Sequence, residues 1–138
     1  MIRLIIWCKP FARYFLTVWI ITIISVSSIP SIPTLKIHTA MVDIRLDYLM
    51  HIWEYGLLAF MAYLSFTGNE FKMSYRKFIL ISLCLISFAI LDEFHQKLIP
   101  GRSFNVSDII SNILGILAVL MFCMVVFRVI AQKYNRTN

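Results

Sequence analysis

Residues 109–130 read IISNILGILAVLMFCMVVFRVI, an apolar run in which Arg128 is the only charged residue. A helix needs about 20 apolar residues to span the hydrocarbon core of a bilayer. In lipid every backbone polar group must be bonded within the segment, and alternating strand patterning is absent, so the run predicts a transmembrane helix. Asn105 and Asp108 have the spacing of a capping box and mark its start, which predicts a helix over approximately 107–130.

Three further apolar stretches precede this run and predict helices over approximately 11–29, 47–66 and 78–98. Turn-forming residues close each of them: Pro30 and Pro33 after the first, Thr67-Gly68-Asn69 after the second, Pro100-Gly101 after the third. The expected fold is therefore all-α. We predict a four-helix transmembrane bundle that forms one domain over residues 1–138, crosses the cell membrane several times and contacts membrane lipids.

The first stretch permits a second interpretation. Arg3, Lys9 and Arg13 precede an apolar run that ends near the small residues Ser25 and Ser27, which is also the pattern of a cleaved secretory signal peptide. The length of the run and the prolines that follow it favour a retained helix. Cleavage would leave three spans.

Composition and charge agree with a membrane protein. Of the 138 residues, 60% are apolar and 14% are charged, whereas a soluble domain carries about 25% charged residues. These values exclude a disordered chain, a nucleic-acid-binding module and a disulfide scaffold. Nine of the 13 basic residues would be cytoplasmic if both termini were inside, and this bias predicts that orientation. The net charge of +6 is thereby explained without an acidic partner. The three cysteines share no CxxC spacing, and none is predicted to be reactive.

Polar residues concentrate at one depth of the predicted bundle. Asp47, His51 and Glu54 share a stripe of the second helix, and this orientation starts that helix outside. The third helix ends outside with Asp92, Glu93, His95 and Gln96, and the fourth starts outside with Asp108 and Asn112. A carboxylate in lipid costs at least about 2.5–3.5 kcal/mol, so these groups are expected to meet in an outer pocket. Of the adjacent pair Asp92-Glu93, only Asp92 is assigned to that pocket, and Gly56 and Gly115 are expected to let helices approach closely.

The same residues also permit purely structural interpretations. Asp47 and Asp108 lie at predicted helix N-termini, where a carboxylate is favourable by itself. The segment 92–97 is also compatible with a solvated helix end. Glu54 could form a packing ion pair with Arg102 or His95, and Asn112 and His51 could serve as hydrogen-bonding core residues.

Two blocks of this sequence resemble the VanZ-like membrane protein family. Asp47, His51 and Tyr55 match its D-K-x-x-H-F-x-x-Y segment, although Tyr48 stands where a Lys is usual. The second block matches the D-E-x-x-Q, P-G-R and D-x-x-x-N-x-x-G segments through Asp92-Glu93-Phe-His95-Gln96, Pro100-Gly101-Arg102 and Asp108-x-x-x-Asn112-x-x-Gly115. The resemblance covers about residues 45–120. It implies an envelope protein related to one that confers low-level resistance to the glycopeptide teicoplanin, with no settled biochemical activity.

The candidate functions differ in what the outer pocket does. In the first, it binds or processes a lipid-linked or cell-wall precursor, with candidate catalytic residues Asp47, His51, Glu54, Asp92, Glu93 and His95; in a second, non-catalytic one, the same groups bind a glycopeptide or wall fragment. The candidate ligand-binding residues are Gln96, Arg102, Asp108 and Asn112, with Arg102 as a bidentate donor to a phosphate or carboxylate. No nucleophile elbow, HExxH or P-loop occurs, so catalysis stays undecided, and no cofactor or metal is predicted.

Two alternatives remain open. A non-catalytic protein would bind its ligand or dock a partner without changing it. A proton-coupled transporter would use the same intramembrane acids and histidines as a relay, but Phe60–Phe66 and Leu117–Phe127 contain no charge to complete a pathway. The sequence does not give the ligand or the oligomeric state.

Overall fold

The computed structural model describes residues 9–31, 36–38, 43–68 and 72–137. A short 3-10 turn, Lys9–Phe11, leads into four helices: α1 (Ala12–Ser27), α2 (Leu46–Phe66), α3 (Tyr75–Gln96) and α4 (Val106–Thr137). The predicted all-α four-helix bundle is therefore confirmed. Arg3, Pro33 and Asn69, which flank predicted spans in the sequence, lie outside the described residues.

A small β-hairpin between α1 and α2 was not predicted from the sequence. Strand β1 (Lys36–His38) pairs antiparallel with β2 (Asp43–Arg45), and Ile37 lies opposite Ile44. Strands of three residues contain too few positions for an alternating pattern to stand out. The hairpin joins directly onto the first turn of α2.

Three of the described helices are long and apolar enough to cross a membrane, over Lys9–Ser27, Tyr75–Gln96 and Val106–Gln132. Helix α2 has 21 residues but carries Asp47, His51 and Glu54 in its first half, which lowers its hydropathy. Its middle is nevertheless the most enclosed part of the bundle, because Tyr55, Leu58, Ala59 and Tyr63 are fully buried. Helix α2 is thus the central helix, and its neighbours separate much of it from the surroundings.

Two glycines bring α2 and α4 together, as the sequence predicted. A Cβ added to Gly115 would lie 2.4 Å from the carbonyl oxygen of Ile52, so the α4 backbone touches the α2 backbone there. A Cβ added to Gly56 would lie 3.1 Å from Cγ2 of Val119. Close backbone approach through small residues is a common way for membrane helices to associate. Farther along the pair, the rings of Tyr63 and Phe127 stack at 5.4 Å.

The bundle has two chemically different ends. At the first, which we call the polar end, α1 and α3 finish and α2 and α4 begin. At the second, the basic end, α1 and α3 begin and α2 finishes, close to Lys9, Arg76 and Lys77. The predicted orientation would put the polar end outside; this orientation stays a prediction.

Candidate functional site

The ten residues predicted for the site all belong to the polar end. Helix α2 contributes three, α3 four, the loop after α3 one, and α4 two. They are Asp47, His51 and Glu54; Asp92, Glu93, His95 and Gln96; Arg102; and Asp108 and Asn112. Hydrogen bonds and ion pairs link most of them across the helices, although not always in the expected pairs.

Asp92 is the centre of a buried network. Its side chain is 6% exposed, and its Oδ2 accepts hydrogen bonds from the Tyr55 hydroxyl at 2.9 Å and from Nε2 of Gln96 at 3.1 Å. A buried carboxylate needs such donors because it has lost its water. Tyr55 was not among the predicted site residues. Its position in the first motif, one helical turn after His51, was the available signal.

Arg102 connects this network to the end of α1. Its Nη1 donates to Oε1 of Gln96 at 3.1 Å, Nε donates to the carbonyl of Ile29 at 3.2 Å, and Nη2 donates to the carbonyl of Val26 at 3.0 Å. The last carbonyls of a helix have no partner within it. A cation near them also interacts favourably with the negative end of the helix dipole. Arg102 therefore holds the end of α1 against α3 and uses three of its five N–H groups within the protein.

The Pro100-Gly101 turn that precedes Arg102 also touches the segment after α1. Gly101 has a φ of +78°, and a Cβ there would lie 2.2 Å from Oγ of Ser31. A glycine is thus needed for both the backbone conformation and the space. This turn sets the position from which Arg102 reaches α1.

A second buried group surrounds Glu93, which is 1% exposed. Its Oε1 accepts a hydrogen bond from the backbone N–H of Asn105 at 2.7 Å, and the Asn105 side chain donates to Oδ1 of Asp108 at 2.9 Å. The sequence assigned only Asp92 of the adjacent pair to the pocket, and Glu93 is also buried, on a different face of α3. Adjacent helical residues differ in direction by about 100°, and here each of the two meets a different neighbour, Tyr55 of α2 and the loop before α4.

His51 and Asp108 form a contact between α2 and α4. Nε2 of His51 lies 3.7 Å from Oδ2 of Asp108, which is an ion pair when the imidazole is protonated and too long for a hydrogen bond. Both side chains are mostly buried, with 17% and 13% of their surfaces exposed. The contact lies close to the Gly115–Ile52 crossing, because Ile52 follows His51 in the chain.

Several buried polar atoms at this end have no hydrogen-bond partner in the part of the chain that the structure describes. They are Nδ1 of His51, Oε2 of Glu93, and Nδ2 and Oδ1 of Asn112. Asn112 is completely buried, so its whole amide is enclosed without a bond. Most buried polar atoms in proteins are bonded, and exceptions often mark a functional site. These atoms therefore keep unused hydrogen-bonding capacity inside the polar end.

Glu54 and His95 complete the description. The Glu54 carboxylate lies within electrostatic reach of Asp92 and Arg102 but forms no hydrogen bond or ion pair with the described residues, so the packing ion pair is absent there. Its carbonyl accepts from Nε1 of Trp19 in α1 at 3.0 Å. The His95 side chain is half-buried and makes no hydrogen bond within the described ranges. Among those ranges no three His, Cys, Asp or Glu side chains are grouped to hold a metal ion.

The sequence profile described as VanZ/LLP1 matches residues 9–128, which include all ten polar residues and reach all four helices. The chain belongs to the VanZ/LLP1 family. Comparison with curated proteins and with solved structures finds no significant match. Family membership and the apolar helices together make this chain a VanZ-like, multi-pass membrane protein.

The geometry explains why the VanZ-like motif residues occur together. Asp92, Glu93 and Gln96 of the D-E-x-x-Q segment each accept or donate a hydrogen bond in the polar end. Arg102 of the P-G-R segment bonds Gln96, and Asp108 of the last segment pairs with His51 of the α2 motif. The motif residues of this VanZ/LLP1 protein therefore lie together at the polar end, on three helices and the loop after α3.

Proposed function

We propose that this VanZ-like protein acts in the bacterial cell envelope by binding the polar head of a lipid-linked or cell-wall-related ligand at its polar end. The unpaired buried atoms of His51, Glu93 and Asn112 carry this proposal. Leaving a buried polar group without a partner costs about 1–3 kcal/mol, which a ligand that bonds these atoms would recover. An effect on susceptibility to teicoplanin would follow if that ligand is the drug or its target.

The charges at the polar end favour a ligand that donates hydrogen bonds. Five helical carboxylates, of Asp47, Glu54, Asp92, Glu93 and Asp108, belong to the polar end, and the guanidinium of Arg102 there is mostly engaged with the protein. A phosphate in this place would be repelled by the carboxylates. Sugar hydroxyls, amide N–H groups or an amino group would instead donate to Glu54 and to Oε2 of Glu93. We therefore favour the sugar or peptide part of a wall component over its phosphate.

The arrangement supports binding better than catalysis. Oδ2 of Asp92 already accepts two hydrogen bonds within the protein, and the described site contains no activated serine or cysteine. A proton-transfer step would fall to His51, whose Nε2 lies 3.7 Å from Oδ2 of Asp108, and to the unbonded Glu54. A transporter is less well supported because the helical carboxylates described all belong to one end of the bundle.

Two substitutions test the proposal while keeping side-chain volume. Glu54→Gln removes a charged acceptor and Asn112→Leu removes the buried amide, so each is expected to weaken binding by about tenfold or more. The matched control for Glu54 is Trp53→Phe, since Trp53 is 74% exposed and lies on the outer surface of the same helix. The measurement is the affinity of the purified protein for a lipid-linked wall precursor and for teicoplanin, together with teicoplanin susceptibility of cells expressing each variant.

The outcomes separate the candidate functions. Saturable binding without product, lost in both variants and kept in the control, supports the proposal. Turnover of the precursor would show an enzyme, and gradient-dependent flux into sealed vesicles would show a transporter. Unchanged binding and susceptibility in Glu54→Gln and Asn112→Leu would show that the polar end has only a structural role.

A further inference from the structure

A separate apolar groove opens between α1, α2 and α3 on the basic half of the bundle. Its volume is about 510 Å³, and apolar side chains such as Ile20, Leu58 and Leu85 form nearly all of its wall. Among the described residues that line it, Lys77 is the charged one, and it lies at the first turn of α3. None of the ten residues of the polar end contributes to it.

The groove has the length of one bilayer leaflet. Its lining along α3 runs from Lys77 to Phe88, which at 1.5 Å per residue is about 16 Å. Half of a hydrocarbon core about 30 Å thick is about 15 Å. A groove that starts at the basic end of α3 therefore reaches about the midplane of the membrane.

The far end of the groove is separated from the polar end by two aromatic rings. Phe88 lines the groove, and its ring contacts that of Tyr55, with the ring centres 6.2 Å apart. Tyr55 is fully buried and is held in place by its hydrogen bond to Asp92. An occupant would thus enter from the basic end or from the lipid side rather than through the polar site.

The opening of the groove attracts anions. The Lys77 ammonium is exposed and forms no hydrogen bond or ion pair with any residue that the structure describes. The helical carboxylates in the described ranges are all at the polar end. Basic pockets between transmembrane helices are typical binding sites for anionic lipid head groups.

We propose that this groove is a specific site for one anionic phospholipid, with an acyl chain between α1 and α3 and the head-group phosphate at Lys77. Groove length, apolar wall and an unpaired cation at the leaflet boundary all match that molecule. The proposal does not depend on the function of the polar end.

The test uses the purified full-length protein in a neutral detergent. Phosphatidylglycerol or phosphatidylcholine with identical chains is added, and native mass spectrometry measures retained lipid while thermal unfolding measures stabilisation. The protein is expected to retain one phosphatidylglycerol about fivefold more tightly than phosphatidylcholine. Lys77→Gln is expected to remove this preference, whereas Arg76→Gln, a change at the adjacent residue outside the groove, keeps it.

A second pair of variants tests the groove itself. Cys84 lines the groove and is exposed, so Cys84→Trp fills it without entering the core. Leu83→Trp adds the same ring at an adjacent exposed position that does not line the groove. Loss of retained phosphatidylglycerol in Cys84→Trp but not in Leu83→Trp would support the proposal.

Three results would overturn the proposal. The first is equal retention of both lipids with no effect of Lys77→Gln, and the second is competition between inorganic phosphate and phosphatidylglycerol that persists in Cys84→Trp. The third is preferential retention of a polyprenyl-linked wall precursor that does not depend on Lys77. The first would leave only the general lipid annulus, and the second a simple anion site. The third would make the groove part of the polar-end ligand site.

Discussion

Replacing Gly115 by alanine tests the backbone contact that places α2 against α4. The added Cβ would lie 2.4 Å from the carbonyl oxygen of Ile52, whereas ordinary contacts begin near 3.4 Å, so the helices must separate by about 1 Å. Overpacking of this kind costs about 1–3 kcal/mol, and the upper part applies because the obstacle is backbone. The better helix propensity of alanine returns about 1 kcal/mol. We therefore expect a net loss of about 2 kcal/mol.

The assay is reversible unfolding in mixed micelles, with tryptophan fluorescence and circular dichroism as two independent probes. Gly56→Ala is the matched control, since its Cβ would meet only Cγ2 of Val119 at 3.1 Å, and that side chain can turn away. The control is expected to stay within about 0.5 kcal/mol of the wild type, because propensity and crowding nearly cancel. If Gly115→Ala proves as stable as Gly56→Ala, the α2–α4 distance is not limited by this glycine and the reasoning fails.

Three further predictions concern the polar end. A double-mutant cycle of Tyr55→Phe and Asp92→Asn is expected to give a coupling of about 1.5–3 kcal/mol in the same unfolding assay, because the hydroxyl donates to a buried charge; additive effects would contradict the bond. Arg102→Lys is expected to behave like Arg102→Gln in loosening the end of α1, measured by hydrogen exchange of that helix, since an ammonium cannot reproduce the three-way contact; full protection in the lysine variant would argue against it. Asn112→Leu is expected to leave stability unchanged or raised while it lowers ligand binding, because the amide is buried without a partner; a large loss of stability would give Asn112 a packing role instead.

Asn105 offers a direct probe of which side of the membrane the polar end faces. In a variant whose only cysteine replaces Asn105, an impermeant thiol reagent is expected to label intact cells if the polar end faces outside. Labelling only after the membrane is permeabilised would reverse the predicted topology and place the polar end in the cytoplasm.

Much of the architecture could be predicted from the sequence, because bilayer thickness and backbone hydrogen bonding leave few choices for long apolar runs. The four helices, the concentration of polar residues at one end and the close approach at Gly56 and Gly115 all follow from run length and helical spacing. The hairpin did not, since its three-residue strands lack a periodic signal. Helix α2 has its buried residues from Tyr55 onward, after the half that carries Asp47, His51 and Glu54.

Which side chains share a face of each helix could be predicted from the sequence, since that depends only on 3.6-residue periodicity. Their partners depend on the tertiary structure: the Tyr55 hydroxyl on Asp92, the Asn105 backbone on Glu93, and Arg102 on the carbonyls of α1. Partners depend on how far each helix is rotated and where each loop returns, which are long-range properties that no local pattern records. For the same reason the groove at Lys77, which needs three helices to exist, became visible only in the folded chain.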